Sequence, residues 1–564
     1  MVGKNLTGKK KTLVISAVLI SLCAVFLTAF VLPEAQAEDG SASGSADVSA
    51  DTRAIGSIVS ENLDAALRKA SVAEKSTGDV RLLECVNQKK GVFLRWSAGA
   101  ADSEDDGFQI YRRTYGSSSW EKIRRLDGAS YACWIDKNAP SGASCEYAVR
   151  TFRYTDGEEA ASEKASGSTL DFSSVRSLTR IPVPENVQVG KTEDGQIKVT
   201  WDAVPGAEEY DVEYSKNSAF YGNRKKKTVS GTSCVFSLGS KPYYIRVRAK
   251  SGSDASSWSY GGYAGKTVRS TVSYVYTRSG GSVHLMNLRS DFHQKMGGYD
   301  TVQGTCSDGG TNFYTVLWNK TKRGGDYARI ARWNLKTRKL TKISKPLRIR
   351  HGNSITYNSR KKQLVVCLID ETPKRLAVIN AKTLKLVRYV DVEMPEKLYG
   401  ASSSKLKKYA GLSCISYNRK RNCYIAKFRG SSTAVILDSG FRPVRAFSAP
   451  IASSSTLSQN LLASDDAVIC VASGGNSVKT YDWEGRKIAE IPISGGYELE
   501  AAAYTGGSLY GVCYRSYYQT FKVRRRVTKW VKTKSGKKKK KKVWKTYYER
   551  RFMRAGHVYR INRF

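Results

Sequence analysis

Along most of the 564-residue chain, apolar and polar residues alternate in short runs bounded by Gly, Asn, Asp and Ser. Such runs are too short for helices, and their period of two predicts strands. Between 78 and 172 they include "GVFLRWSA", "GFQIYRR" (107–113), "SSWEKIRRL" and "CEYAVRTF" (145–152). Residues 181 to 271 repeat the order with "IKVTWDAVPGAEEYDVEYS", "SCVFSL" and "YYIRVRAKS". From about 272 the period changes. "SITYNSRKKQLVVCLI" (354–369) is echoed by "CISYNRKRNCYIAKF" (414–428), and in both a Tyr-Asn pair opens a basic turn into an apolar strand. Weaker copies are "GTCSDGGTNFYTVL" (304–317), "LLASDDAVICVA" (461–472) and "AAYTGGSLYGVC" (502–513), each followed by further strand-like runs. One stretch reads as helix: in 51–71, Ile55, Ile58, Val59, Leu63, Ala66 and Leu67 recur at helical spacing.

The first 37 residues carry a different message. Lys4, Lys9, Lys10 and Lys11 precede an uncharged run from Thr12 to Leu32, and Ala35-Gln36-Ala37 is a small-x-small cleavage pattern. This is the layout of a secretory signal peptide cut after Ala37. The run is also long enough to span a bilayer, which needs about 20 residues, so an uncleaved signal anchor is the alternative. Either way the body of the protein is expected outside the cytoplasm, secreted or at the cell surface. Residues 38–77 then form a Ser/Gly/Ala/Asp-rich linker and the short helix.

An early Trp, a Tyr some six to fifteen residues on and a late Tyr-x-Val-Arg strand suit a seven-stranded sandwich. Segments 78–172 and 181–271 resemble fibronectin type III modules of bacterial surface proteins. The matching residues are Trp96, Tyr111, Tyr147 and Val149 in the first, and Trp201, Tyr210, Tyr214, Tyr244, Val247 and Ala249 in the second. The resemblance implies spacers or docking surfaces. Five hairpin-built units beyond 272 have the spacing of a β-propeller, and 272–564 resembles small bacterial five-bladed propellers; a stacked β-sandwich is the alternative. The expected fold class is therefore all-β: two sandwiches, a C-terminal propeller and a short N-terminal helix.

Charge changes the picture. Of the formal +43, residues 271–564 hold +39, from 57 Lys and Arg against 18 Asp and Glu. Export removes the genome as a partner. A domain so basic is expected to meet anionic polysaccharides, wall polymers or host glycans, a membrane surface, or nucleic acid only where that is extracellular. The charge peaks at 522–554, with 17 Lys and Arg and one Glu. There Phe521, Val523, Val527 and Val531 alternate with basic residues, and Ser535-Gly536 signals a turn. The segment reads as a long hairpin inserted in the last unit over 520–555, with Lys537, Lys538, Lys539, Lys540, Lys541 and Lys542 at or just past its tip. Trp530 and Trp544 nearby can stack on sugars or bases while the ammonium groups meet anions. A solvated charge run is the plainer alternative.

Chemistry is sparsely signalled. No G-x-S-x-G, H-E-x-x-H or phosphate-binding loop occurs in context, the cysteines lack C-x-x-C spacing, and neither a metal nor a cofactor is implied. Many cysteines sit inside apolar runs and read as buried hydrophobes; Cys133 with Cys145 is the disulfide candidate. If the inner strands of a propeller line its axis, the residues entering them converge. That register selects Asp300 and Gln303, His351 and Asn353, Tyr409, Gln459 and Asn460, and Glu498 and Glu500. Such a ring could hold a glycan, and His351 with Glu500 could act as an acid–base pair in a glycan-active hydrolase or lyase. The favoured expectation is a binding protein in which fibronectin-like spacers hold out a basic propeller for adhesion to anionic glycans.

Overall fold

The computed structural model describes residues 80–97, 107–155, 158–161, 174–222, 224–238, 243–264, 282–287, 299, 301–319, 325–369, 374–408, 411–429, 431–450, 458–472, 477–492 and 498–561. All belong to one of the chain's two units, Ser76–Phe564. The signal sequence, the linker and the helix read at 51–71 lie outside the described residues, as do Asp300 and Tyr409. Among the described residues no helix is long and apolar enough to cross a membrane.

Two sandwiches come first. One sheet of the first module pairs Leu82–Gln88, Gly91–Trp96 and Cys133–Asp136. The other pairs Glu121–Asp127, Gly107–Thr114, Ser144–Thr155 and Glu158–Ala161, with Val175–Thr179 on the far edge of Ser144–Thr155. Val175–Thr179 carries the module past residue 172, where the sequence pattern ends it. Trp96 is fully buried between the sheets, its ring 5.1 Å from that of Phe108 and its indole N–H donated to Tyr131 O. The second module repeats the plan around Trp201 and Tyr210, whose rings are 5.3 Å apart, and the Tyr210 hydroxyl accepts from Val204 N. Apolar residues at alternate positions fill both cores, as alternation on half-buried strands requires.

Five four-stranded antiparallel sheets follow. Blades 1 to 4 begin with inner strands Thr301–Ser307, Ile355–Asn358, Leu412–Asn418 and Ser458–Ala463, and each adds its next three strands outward in chain order. Blade 5 runs from Glu498–Thr505 through Ser508–Lys532 to Lys538–Ile561, and its outermost strand is Ser282–Asn287, from the start of the domain. The inner strands neighbour one another in a closed ring, blade 5 against blade 1. The fold is a five-bladed β-propeller closed by a strand from each end of its own sequence. Apolar clusters between successive blades form the core.

The modules do not hold the propeller at a distance. Ala219 of the second module enters the apolar cluster between blades 4 and 5, and Phe220 and Tyr244 pack on Ala489. Arg246 is 1% exposed, held between the rings of Phe220 and Trp258 at 4.1 and 4.0 Å. Its guanidinium donates to Glu213 at 2.6 Å and lies 3.3 Å from Asp466 of blade 4, which also pairs with Arg224 at 2.5 Å. Ser218 and Thr480 share a buried hydrogen bond of 2.8 Å. The first module sets Phe93, Cys133 and Ile135 against Tyr399, and Arg445 of blade 3 lies 4.5 Å over the Phe93 ring. The expectation of stand-off spacers is thus corrected: the modules bury apolar surface and ion pairs against blades 3 to 5.

The disulfide expectation is corrected too. All ten described cysteines are free, and nine are buried. Cys133 lies in the three-stranded sheet with its thiol 3.6 Å from Val444 O, whereas Cys145 sits on a strand of the other sheet, in the sandwich core. Burial pushes the Cys133 and Cys470 thiols up to about 12, so these groups stay protonated and behave as small hydrophobes.

Candidate functional site

Two places carry the residues that the sequence singles out. The first is the propeller axis at the start of the inner strands. In blades 3, 4 and 5 one residue is squeezed out of the ladder as a β-bulge: Ser413, Gln459 and Glu500. In blade 1 the irregularity spans Gln303 and Gly304, and in blade 2 Asn353 precedes the inner strand at the matching place. Each of these five polar residues lies five positions before the residue that turns the inner strand outward: Asp308, Asn358, Asn418, Ser464 and Thr505. A bulge re-aims a side chain, and all five are buried.

The ring is tied together by hydrogen bonds. The Asn353 amide donates to Ser413 O of blade 3 at 2.9 Å and to Gln459 O of blade 4 at 3.2 Å. The Asn460 amide donates to Thr305 O of blade 1 and to Ala502 O of blade 5, both at 3.2 Å. The Ser354 hydroxyl, which accepts from Ile415 N at 3.1 Å, lies 3.4 Å from the Asn460 side-chain oxygen. Two asparagines therefore bridge all five blades across the axis, and buried amides so engaged hold structure. Gln303 turns back to donate to its neighbour's carbonyl, Val302 O, at 3.0 Å. His351 is half-buried on the ring of Trp318, with centroids 4.3 Å apart. Glu500 is the buried bulge residue of blade 5, and Glu498 opens the inner strand of the same blade. Asn353, Gln459 and Asn460 are brought together, with Gln303 and Glu500 at equivalent bulges, while His351 stands at the rim against blade 1.

Ser413 and Ser354 were not among the sequence candidates. The repeat itself carried the signal: counting back five from Asn in "SITYN" gives Asn353, and the same count in "CISYN" gives Ser413.

The second place is the hairpin of blade 5. Its two arms pair without a break from Leu509↔Ile561 to Lys532↔Lys538. Among the described residues, flanking strands reach only to Tyr514 on one arm and His557 on the other. From Arg515↔Ala555 onward the arms pair with each other as a ribbon about 60 Å long at about 3.4 Å per residue. The tip is Thr533–Lys537, where Thr533 N donates to Lys537 O, Gly536 N donates to Thr533 O, and Gly536 takes φ +80°. Lys537 closes this turn, and Lys538 to Lys542 begin the return arm rather than cap the tip.

Directly paired residues share a face, so the register sorts the ribbon's chemistry. One face carries Phe521, Val523, Val527, Val531, Val543 and Tyr547, all half-covered. The other carries Lys522, Arg524, Arg526, Lys532, Lys538, Lys540, Lys542 and Arg550, interleaved with Tyr518, Trp530, Trp544 and Tyr548. Those four rings are each at least 60% exposed. Lys540 lies 5.0 Å from the Trp530 ring, Arg524 and Arg526 flank Trp544 at 5.9 and 6.0 Å, and Arg550 lies 4.5 Å over Tyr518. That face holds no carboxylate along the ribbon from 518 to 552; Glu549, on the opposite face, pairs with Arg525. Lys529↔Lys541 and Lys532↔Lys538 are like charges set directly opposite, an arrangement that costs stability.

No protein-family model and no curated protein matches the chain. Among solved structures it is similar in part to Kuenenia stuttgartiensis hydrazine synthase, at 13% identity over 40% of this chain and 58% of that one, with a TM-score of 0.25. It is also similar to a two-module fibronectin type III segment of chicken tenascin, at 12% identity over 33% of this chain and 98% of that one, with a TM-score of 0.20. A third likeness is to the β-propeller domain of Cps50 (Swd1) from Myceliophteria thermophila, at 12% identity over 38% and 64%, with a TM-score of 0.23.

Proposed function

We propose that the protein is exported and binds anionic glycans or cell-wall polymers along the aromatic and cationic face of the blade 5 ribbon. One observation carries this reading: eight cations and four exposed rings share a face on which no acid lies. An extended polyanion laid along it would neutralise the Lys532↔Lys538 repulsion, and Trp530 and Trp544 would offer faces for sugar rings. Three features support export: the basic start, the uncharged run and the Ala35-Gln36-Ala37 pattern. The sandwiches and propeller body serve as the scaffold that fixes the ribbon's base. Binding of purified protein to teichoic acid and to heparin, followed across salt, tests the reading. It expects tight binding at low salt that weakens steeply as salt rises, and a weak, salt-independent response would refute it.

A further inference from the structure

The far end of the propeller axis is a different environment from the asparagine-filled start. Where the inner strands end, the blades open around a cavity of about 510 Å³, within the roughly 300–1,000 Å³ of small-molecule sites. Its wall is built from the repeat itself. The residue just before the outward turn is Tyr357 in blade 2, Tyr417 in blade 3 and Tyr504 in blade 5, and the residue just after it is Ser359, Arg419 and Asp465 in blades 2, 3 and 4. The second module supplies the remaining side. Tyr221 sets its ring 3.6 Å from that of Tyr504, and the Tyr504 hydroxyl donates to Tyr221 O. The Tyr-Asn motif that marked the repeats in the sequence is therefore also the rim of a cavity.

We infer that this cavity is a binding site for a small uncharged saccharide. The charges around it are largely spent within the protein. Asp466 pairs with Arg224, and Asp308 accepts from Gly310 N and Asn312 N. Asp465 accepts from the Asn418 amide through one oxygen and is exposed. What faces the space is a set of tyrosine rings, a carboxylate oxygen, an exposed guanidinium and hydroxyls. Flat aromatic faces beside a few convergent donors and acceptors suit a sugar ring, apolar on its C–H faces and hydroxylated at its edge. The ribbon's ligand is anionic and extended; this one is neutral and short.

The test is saturation-transfer NMR and calorimetry on the full chain with cellobiose, maltose and chitobiose, and with glycine and a Gly-Gly dipeptide as competing chemistries. At least one disaccharide should bind saturably. Tyr357→Ala and Asp465→Ala should each weaken it by about tenfold or more, with thermal unfolding unchanged for the exposed Asp465 variant. Replacing Lys537 to Lys542 by Gln should leave it intact, which separates this site from the ribbon. The inference is overturned if no disaccharide saturates, if only the amino-acid probes bind, or if binding ignores both substitutions.

Discussion

Arginine and lysine do opposite work in two regions of this molecule. At the seam between the second module and blade 4, Arg246 and Arg224 face Glu213 and Asp466, and Arg246 is almost fully enclosed between two aromatic rings. On the ribbon, cations of the same kind stand exposed, with aromatic neighbours but one carboxylate between them. Buried charge must be matched inside the fold or it destabilises. Exposed charge can remain unmatched, and it is then available to a partner. The seam is closed electrostatically, and the ribbon is open.

The largest expected effect tests the open side. If the ribbon engages about six or more anionic groups, affinity for teichoic acid or heparin should fall by about 10³-fold or more between 50 and 200 mM salt. Changing Lys537 to Lys542 to Gln should flatten that slope in a log–log plot. An unchanged slope would mean that the six lysines meet no ligand.

Arg246→Ala tests the closed side. Removing one partner of a buried ion pair leaves Glu213 and Asp466 enclosed near each other, at a cost of roughly 3–5 kcal/mol. Denaturant unfolding followed by intrinsic tryptophan fluorescence should show this loss, with the salt dependence of polyanion binding unaltered. A loss below about 1 kcal/mol would show that the seam is as solvated as the ribbon.

Smaller effects sharpen the contrast. Trp544→Ala or Trp530→Ala should weaken polymer binding by about 1–3 kcal/mol without altering the salt slope, since stacking releases no counterions. Loss of slope in these variants would mean that the rings only position the cations. Smallest of all, the six-lysine substitution should shift unfolding stability by no more than about 0.5 kcal/mol. At low salt the shift should be toward greater stability, because Lys532↔Lys538 and Lys529↔Lys541 no longer repel.

Much of this arrangement was legible from local pattern. Alternation and the Tyr-Asn repeat marked the propeller's units, because each blade must turn an inner strand outward and the Asn358 and Asn418 side chains accept from the backbone N–H groups of that turn. The ribbon was legible because Val523, Val527 and Val531 alternate with cations on either side of a Ser-Gly turn. Long-range features were not. Nothing near Ser282–Asn287 signals that it pairs with His557–Ile561 across the whole domain. The seam also escaped, since Arg246 and Trp258 look like ordinary strand residues until Phe220 and Asp466 arrive from elsewhere. At the axis, the register pointed to Gln303, Asn353, Gln459, Asn460 and Glu500 by place, but their sequence gives no sign that Asn353 and Asn460 spend their amides on neighbouring blades.

The closure of blade 5 has a mechanical meaning. The ribbon's arms run on as the two middle strands of that blade, flanked by Glu498–Thr505 on one side and Ser282–Asn287 on the other. A polymer pulling on the tip would draw along the strands, so the rows of hydrogen bonds that flank the two arms would be loaded in shear, all together. Peeling would break them one at a time at far lower force. The strand that seals the ring also anchors its longest lever, and a tethered ligand would pull hardest where the fold is best cross-braced.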